Sequence, residues 1–268
     1  MNRRIIFISL LTACAVMLSP SVQAQFELGK LGRKAKQALQ QNRGKVKQAV
    51  TTGVQKAKSG TLSSQTYEFN GHTYTTKGDF NPNFYTVTAT GQVTFTNVPS
   101  SYEEFEDVYT HFLGKSAQGV GGMMVMAIEM YFRDRELGEK CIDLISTRTS
   151  ASSAKRILYD KLKASATDPN YGQRYLPAAC LEGANNKNAY TPKMPYTVNM
   201  VARNNKHEES EFIGGIVMYL YIEGDGWDTS KRPLRVLKPF DGELFKVQEC
   251  SSLITQCKLI RGTWPGLQ

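Results

Sequence analysis

Pro99-Ser100-Ser101-Tyr102-Glu103-Glu104-Phe105 is the stretch at which the chain changes its hydrophobic period, and its reading decides the fold. Ahead of it apolar and polar residues alternate, as in half-buried strands. Behind it Phe105, Val108 and Phe112 recur at steps of three and four. Ser101 and Glu104 stand at the spacing of a capping box, which opens a helix.

Toward the N-terminus, Tyr67-Glu68-Phe69-Asn70-Gly71-His72-Thr73-Tyr74-Thr75 alternates around Asn-Gly, where both turn positions tolerate positive φ, so a hairpin is expected. Residues 84–89 and 92–96 supply two further β-branched runs, separated near Gly91. Toward the C-terminus, helices are expected over 116–133, 136–145 and 154–162. The first of these buries Val120, Met123, Met124, Ala127, Ile128 and Tyr131. Met123, Met124, Met126 and Met130 at helical spacing fit core packing better than an adaptable groove. Residues 164–195 are irregular and rich in Pro, Asn and Tyr, long for a loop in a compact domain and therefore a place to look for function. Residues 196–203, 216–222, 234–238 and 244–249 then alternate as an antiparallel meander, with Asp241-Gly242 at its last turn. Strands, then helices, then strands predict an α+β fold. Its antiparallel sheet joins N-terminal hairpins to a C-terminal four-strand meander and packs against a block of about four helices.

Three segments are expected: a signal peptide over 1–24, a basic amphipathic arm over 25–60, and one α+β domain over 61–268. Arg3-Arg4, an apolar run from Ile5 to Leu18 and an A-x-A-like site ending at Ala24 read as a secretory signal, implying a periplasmic or secreted protein. Leu11-Thr12-Ala13-Cys14 offers the alternative of a lipoprotein anchored at Cys14, although Ala15 to Leu18 stay apolar where such a signal turns polar. No other stretch approaches the roughly 20 apolar residues needed to cross a bilayer.

The formal charge of +9 is concentrated in the arm. Residues 26–60 hold nine Lys or Arg and one acid, Glu27, whereas residues 61–268 hold 22 basic and 23 acidic residues. Lys34-Ala35-Lys36, Lys45-Val46-Lys47 and Lys56-Ala57-Lys58 recur every eleven residues. Eleven residues make three helical turns with about 20° of drift, so the repeat keeps one face in register. On a helix Lys34, Lys36, Arg43, Lys45, Lys47, Lys56 and Lys58 flank a narrow stripe of Leu, Ala and Val. That arrangement suits an anionic membrane or lipopolysaccharide, with the lysine stems along the apolar boundary. Gly44 and Gly53 each cost about 1 kcal/mol of helix propensity, so in water the arm is expected to be largely disordered and a plain solvated spacer is the competing reading. The lack of interleaved aromatic residues, together with export, argues against nucleic acid.

Cys141, Cys180, Cys250 and Cys257 remain after the signal, and an even number in an exported chain suggests two disulfides. Cys250 with Cys257 would close locally, leaving Cys141 to Cys180; free buried thiols are the alternative. Neither the cysteine spacing nor His72, His111 and His207 forms a zinc pattern, and no metal or cofactor is expected. The loop Glu223-Gly224-Asp225-Gly226-Trp227-Asp228 collects acids and a Trp between strands. Asp225 and Asp228 depart from the calcium-loop spacing and read as solvated acids, while Trp227, if exposed, would mark a glycan or protein contact, the competing reading being a ring that folds back to cover the sheet end. Tyr190 joins these as a possible ligand contact. There is no G-x-S-x-G, H-E-x-x-H, P-loop or dinucleotide turn.

The run Tyr175-Leu176-Pro177, Gly183-Ala184 and residues 188–196 (Asn-Ala-Tyr-Thr-Pro-Lys-Met-Pro-Tyr), with Gly224-Asp225 and Ser230-Lys231-Arg232-Pro233, resembles an exported bacterial family of unknown function found in gut anaerobes, over roughly residues 95–265. The resemblance implies bacterial export and an α+β domain. It carries no catalytic residues, and the arm lies outside it. The expected function is therefore a non-enzymatic, envelope-associated or secreted binding domain with an unidentified protein or glycan ligand. The alternative is a hydrolase acting on a glycan or peptide in a cleft near residues 164–195.

Overall fold

The computed structural model describes residues 64–78, 80, 89–165, 173–202, 208–260 and 262–268. The signal segment, the basic arm with all seven of its singled-out cations, and His207 lie outside them.

The fold is α+β, as the change of period implies: a seven-strand antiparallel sheet with four helices packed against it. The strands are β1 (Ser64–Phe69), β2 (His72–Gly78), β3 (Ala89–Phe95), β4 (Tyr196–Ala202), β6 (Gly215–Glu223), β7 (Lys231–Pro239) and β8 (Lys246–Glu249), hydrogen-bonded in that order. A short additional strand, β5 (Glu208–Ser210), pairs with β6. The predicted hairpin forms with Tyr67 opposite Tyr74, and its turn residues Asn70 and Gly71 sit at φ 47 and 84. The N-terminal hairpin and the C-terminal meander are one sheet because β3 pairs along its whole length with β4.

Several boundaries differ from expectation, among them the start of β7, at Lys231 rather than 234. Gly91 is not a break between strands but a residue inside β3, where a Cβ would stand 2.3 Å from the Phe80 ring. The chain pairs again with β6 as β5: Val201 lies opposite Tyr221 and Glu208 opposite Val217, so the pairs on the two strands are seven and four positions apart. The ladder therefore resumes after an interruption. The last helix begins six residues before its expected start.

The helices are α1 (Tyr102–His111), α2 (Ala117–Arg133), α3 (Arg135–Ile145) and α4 (Arg148–Ser165). Ser101, Ser116 and Asp134 cap the first three through side-chain acceptors to Glu104, Gly119 and Leu137 N–H groups. In α4 the buried stripe is Ser150, Ala151, Ala154 and Leu158, and a stripe that begins with serine gives little apolar period to read. α2 is buried on every side from Ala117 to Phe132, as a helix apolar all round must be. It lies close on the sheet: a Cβ on Gly122 would stand 2.7 Å from Val93. Met123, Met124, Met126 and Met130 are at most 1% exposed, so they are core and line no groove.

Residues 173–195 do not stand off as a loop. Tyr175, Leu176, Ala178, Ala179, Cys180, Leu181, Ala184 and Tyr190 are buried in the main hydrophobic cluster, around short 3-10 turns at Ala178–Cys180 and Asn186–Asn188. Gln173, itself fully buried, secures the start of the segment by donating to and accepting from the backbone of Cys257.

Candidate ligand-binding cleft

The sequence-selected residues are mostly structural. Trp227 is buried at 3% exposure with the Arg232 guanidinium 4.7 Å above its ring, so the expectation of an exposed contact is corrected: the ring folds back over the sheet end. Tyr190 is fully buried; its hydroxyl donates to Lys258 O at 2.7 Å and its ring stacks on Tyr175 at 4.8 Å. Asp225 and Asp228 are exposed, and Asp228 pairs at 3.5 Å with Lys258. Among the described residues no group of acids, histidines and cysteines is arranged to hold a metal ion.

The disulfide expectation is also corrected, because Cys141, Cys180, Cys250 and Cys257 are all free and buried. Three of the sulfurs lie against different neighbours. Cys141 on α3 lies 3.7 Å from the Met130 sulfur, Cys180 lies 3.8 Å from Leu176 O, and Cys250 lies 3.8 Å from the Ser150 hydroxyl. Cys257 follows Cys250 only after the 3-10 turn Ser251–Ile254. Burial pushes the Cys141 and Cys250 thiols up to about 12 and Cys257 to about 11, so all three stay protonated at neutral pH and behave as small apolar side chains.

Both histidines among the described residues lie against carboxylates. His72 Nδ1 lies 2.5 Å from Glu104 Oε1, and His111 Nδ1 lies 3.0 Å from Asp107. Glu104 is fully engaged by these neighbours and by Ser100 and Tyr74, which leaves it no free oxygen for chemistry.

A concave feature whose lining residues include unmatched polar groups lies at the C-terminal end of α2. A cleft of about 680 Å³ opens there between that helix end, Arg174-Tyr175 and the tail from Ile260 to Leu267. Such a volume falls within the range of small-molecule sites. Its floor is Glu129, one turn before the helix ends, at 3% exposure. Phe132, Tyr175 and Trp264 supply aromatic walls, with Trp264 set edge-on to Tyr175 at 6.5 Å. Arg133 and Arg174, both exposed, form the rim. The tail is fastened by three bonds: Arg133 to Leu267 O at 2.8 Å, Val98 N to Gln268 O at 3.1 Å, and Gln268 N to the Tyr196 hydroxyl at 2.9 Å.

Glu129 is the chemically unusual member. Burial drives its carboxyl above the ordinary carboxylate range, against the opposing pull of Arg133, which donates to Oε1 at 2.8 Å, and of the Arg174 charge. Its Oε2 and the Trp264 indole N–H have no hydrogen-bond partner among the described residues. Buried polar atoms are ordinarily paired, and these two belong to residues that line one cleft, which makes it the candidate ligand site. The sequence did carry a signal for this. Glu129 is the one acid in the otherwise apolar run from Val120 to Phe132, a position where a helix that is buried all round has no solvent to offer it.

The structure thus places a cleft beside the 164–195 segment, lined by two of its residues. It does not bring Trp227, Asp225, Asp228 or Tyr190 to that cleft's lining. A family profile described as a domain of unknown function matches residues 97–261. No curated protein and no solved structure matches the chain. The matched span includes Glu129, Arg133, Arg174 and Tyr175, whereas Trp264, Leu267 and the first three strands lie outside it.

Proposed function

The chain belongs to the DUF6935 family of domains of unknown function, and from that premise we propose a non-enzymatic binding protein of the bacterial envelope or its surroundings. The α+β domain holds a small ligand in the Glu129 cleft. The basic arm, with Lys34, Lys36, Arg43, Lys45, Lys47, Lys56 and Lys58, tethers the exported chain to anionic membrane or lipopolysaccharide. The observation that carries the reading is the pair of unpartnered buried atoms, Glu129 Oε2 and Trp264 Nε1, in one aromatic-walled cleft. Segregation of nearly all the net charge into residues 26–60 supports the tether.

The hydrolase reading draws on the same carboxyl, since a buried acid with a raised pKa suits general acid catalysis. Among the described residues that line the cleft, however, Glu129 is the only carboxylate, and glycoside hydrolysis ordinarily takes two. Binding is therefore the better-supported reading.

Intrinsic fluorescence of the mature chain tests it, because Trp264 lines the cleft while Trp227 is buried elsewhere. Titration with a panel of oligosaccharides and short peptides should shift the emission saturably, and Trp264→Phe should abolish the shift. A panel that leaves the emission unchanged throughout would remove the cleft as a ligand site. Co-sedimentation with anionic but not neutral vesicles tests the arm separately.

A further inference from the structure

The cleft's polar groups are arranged by depth, and that order specifies a chemical class of ligand. At the floor is the Glu129 carboxyl, whose Oε1 is taken by Arg133 and whose Oε2, without a partner among the described residues, is an acceptor for a hydroxyl group. On the wall is an indole N–H that needs an acceptor, beside aromatic rings that suit the apolar face of a ring. At the rim are two guanidinium groups. Arg174 donates one N–H to Phe132 O, and Arg133 donates to Glu129 and to Leu267 O. A guanidinium has five N–H donors, so among the described residues most of Arg174's fork is unspent. Among the described lining residues two arginines at the mouth stand against one carboxyl, Glu129, a positive balance. The fork geometry of arginine matches a carboxylate in two parallel bonds.

We propose that the cleft takes an acidic sugar. The carboxylate lies against Arg174, with Arg133 beside it, and the ring rests against Trp264. The ring hydroxyls reach Glu129 Oε2 and accept from the Trp264 indole. A hexuronate unit has this set of groups: hydroxyls that both donate and accept, a face of C–H groups, and one carboxylate at the ring's edge. The inference rests on the reading of the cleft as a ligand site and adds to it the sign of the ligand's charge.

Calorimetric titration of the mature chain with D-glucuronate, D-glucose and a short peptide bearing a free C-terminal carboxylate is the test. Glucuronate should bind about tenfold or more tighter than glucose, the factor that corresponds to one net charge-assisted contact of about 1.4 kcal/mol. Arg174→Gln should erase that preference, and Arg174→Lys, which keeps the charge without the fork, should restore part of it. Circular dichroism confirms the fold of each variant, so that a loss is read only from folded protein. Equal affinity for glucose and glucuronate overturns the acidic assignment while leaving the cleft reading intact. Binding of the peptide alone, or of none of the three while the fluorescence panel registers another ligand, overturns the sugar assignment.

Discussion

The Tyr74 hydroxyl donates to Glu104 Oε1 at 2.6 Å, and this buried bond ties the second strand of the sheet to the first helix. The other carboxylate oxygen accepts from the backbone N–H of Ser100 at 2.8 Å and from its hydroxyl at 3.1 Å. Half of the expected capping box is present, since Ser101 accepts from Glu104 N at 3.2 Å. The returning bond from the Glu104 side chain goes one residue upstream of the cap. That shift lets the same carboxylate serve both the helix start and the sheet.

Removing the hydroxyl with Tyr74→Phe should lower unfolding stability by about 1 to 3 kcal/mol in a urea titration, because a buried bond to a carboxylate is lost. Burial alone would push the Glu104 carboxyl up, but the bonds from Tyr74, Ser100 and His72 outweigh it and hold the group below its ordinary value of 4.5. The folded value thus lies below the unfolded one, so the stability this group adds is present above pH 4.5 and is lost as the pH falls toward the folded value. Tyr74→Phe should shrink that acid-side loss. Equal slopes in the two proteins would show that Tyr74 does not hold the charge.

Glu129 carries the opposite sign. Burial holds its folded value above the ordinary 4.5, against Arg133 and Arg174, so its contribution is fully present below that pH and is lost as the pH rises through the folded value. Glu129→Gln keeps an acceptor for Arg133 and removes the titration. The variant should therefore gain stability relative to wild type as the pH rises above 4.5, read from urea midpoints across that range. A wild-type advantage that grows with pH would show that the arginines, not burial, govern the carboxyl.

What could be read from the sequence divides along the range of the contacts involved. The helix start at Ser101 and the hairpin at Asn70-Gly71 are set by residues a few places apart, and both were legible. The N-terminal half of α4 was not, because Ser150 and Ala151 bury without an apolar signature. The cleft joins Glu129, Arg174 and Trp264, which no local period connects. Its one sequence trace was an acid inside an apolar helix. Trp227 shows the converse: spacing leaves open whether a Trp between two acids is a contact or packing, and burial decides for packing.

The four thiols give a chemical prediction. Buried and with raised pKa values, Cys141, Cys180, Cys250 and Cys257 should not react with an aromatic disulfide reagent in the folded chain, because the thiolate is the reactive form. After denaturation of the mature chain without reductant, all four should react. A titre of two or none would show that disulfides form between these cysteines.

Gly138 on α3 faces the helix before it, where an added Cβ would stand 2.1 Å from Tyr131 Cα and 2.3 Å from its N. Backbone cannot rotate away as a side-chain tip can, so the two helices must part. Gly138→Ala should therefore cost at least the 1 to 3 kcal/mol or so typical of overpacking, even though alanine favours a helix by about 1 kcal/mol. A thermal midpoint unchanged from wild type would mean that the α2 to α3 turn yields freely.

Trp227 and its acidic neighbours offer the sharpest contrast between burial and exposure within one loop. The indole is 3% exposed beneath Arg232, so Trp227→Ala removes a core ring and should cost about 3 to 5 kcal/mol of unfolding free energy. Asp228 is 97% exposed and its pairing with Lys258 is long and screened, while Asp225 is exposed as well. Asp225→Ala and Asp228→Ala should each stay within about 0.5 kcal/mol of wild type. Urea midpoints of the three variants decide it. A mild Trp227→Ala would mean that its ring contributes little to the sheet end and would return it to consideration as a contact residue. A severe loss that leaves the ligand-induced fluorescence change at Trp264 intact in the folded fraction would separate the loop's structural work from the cleft's.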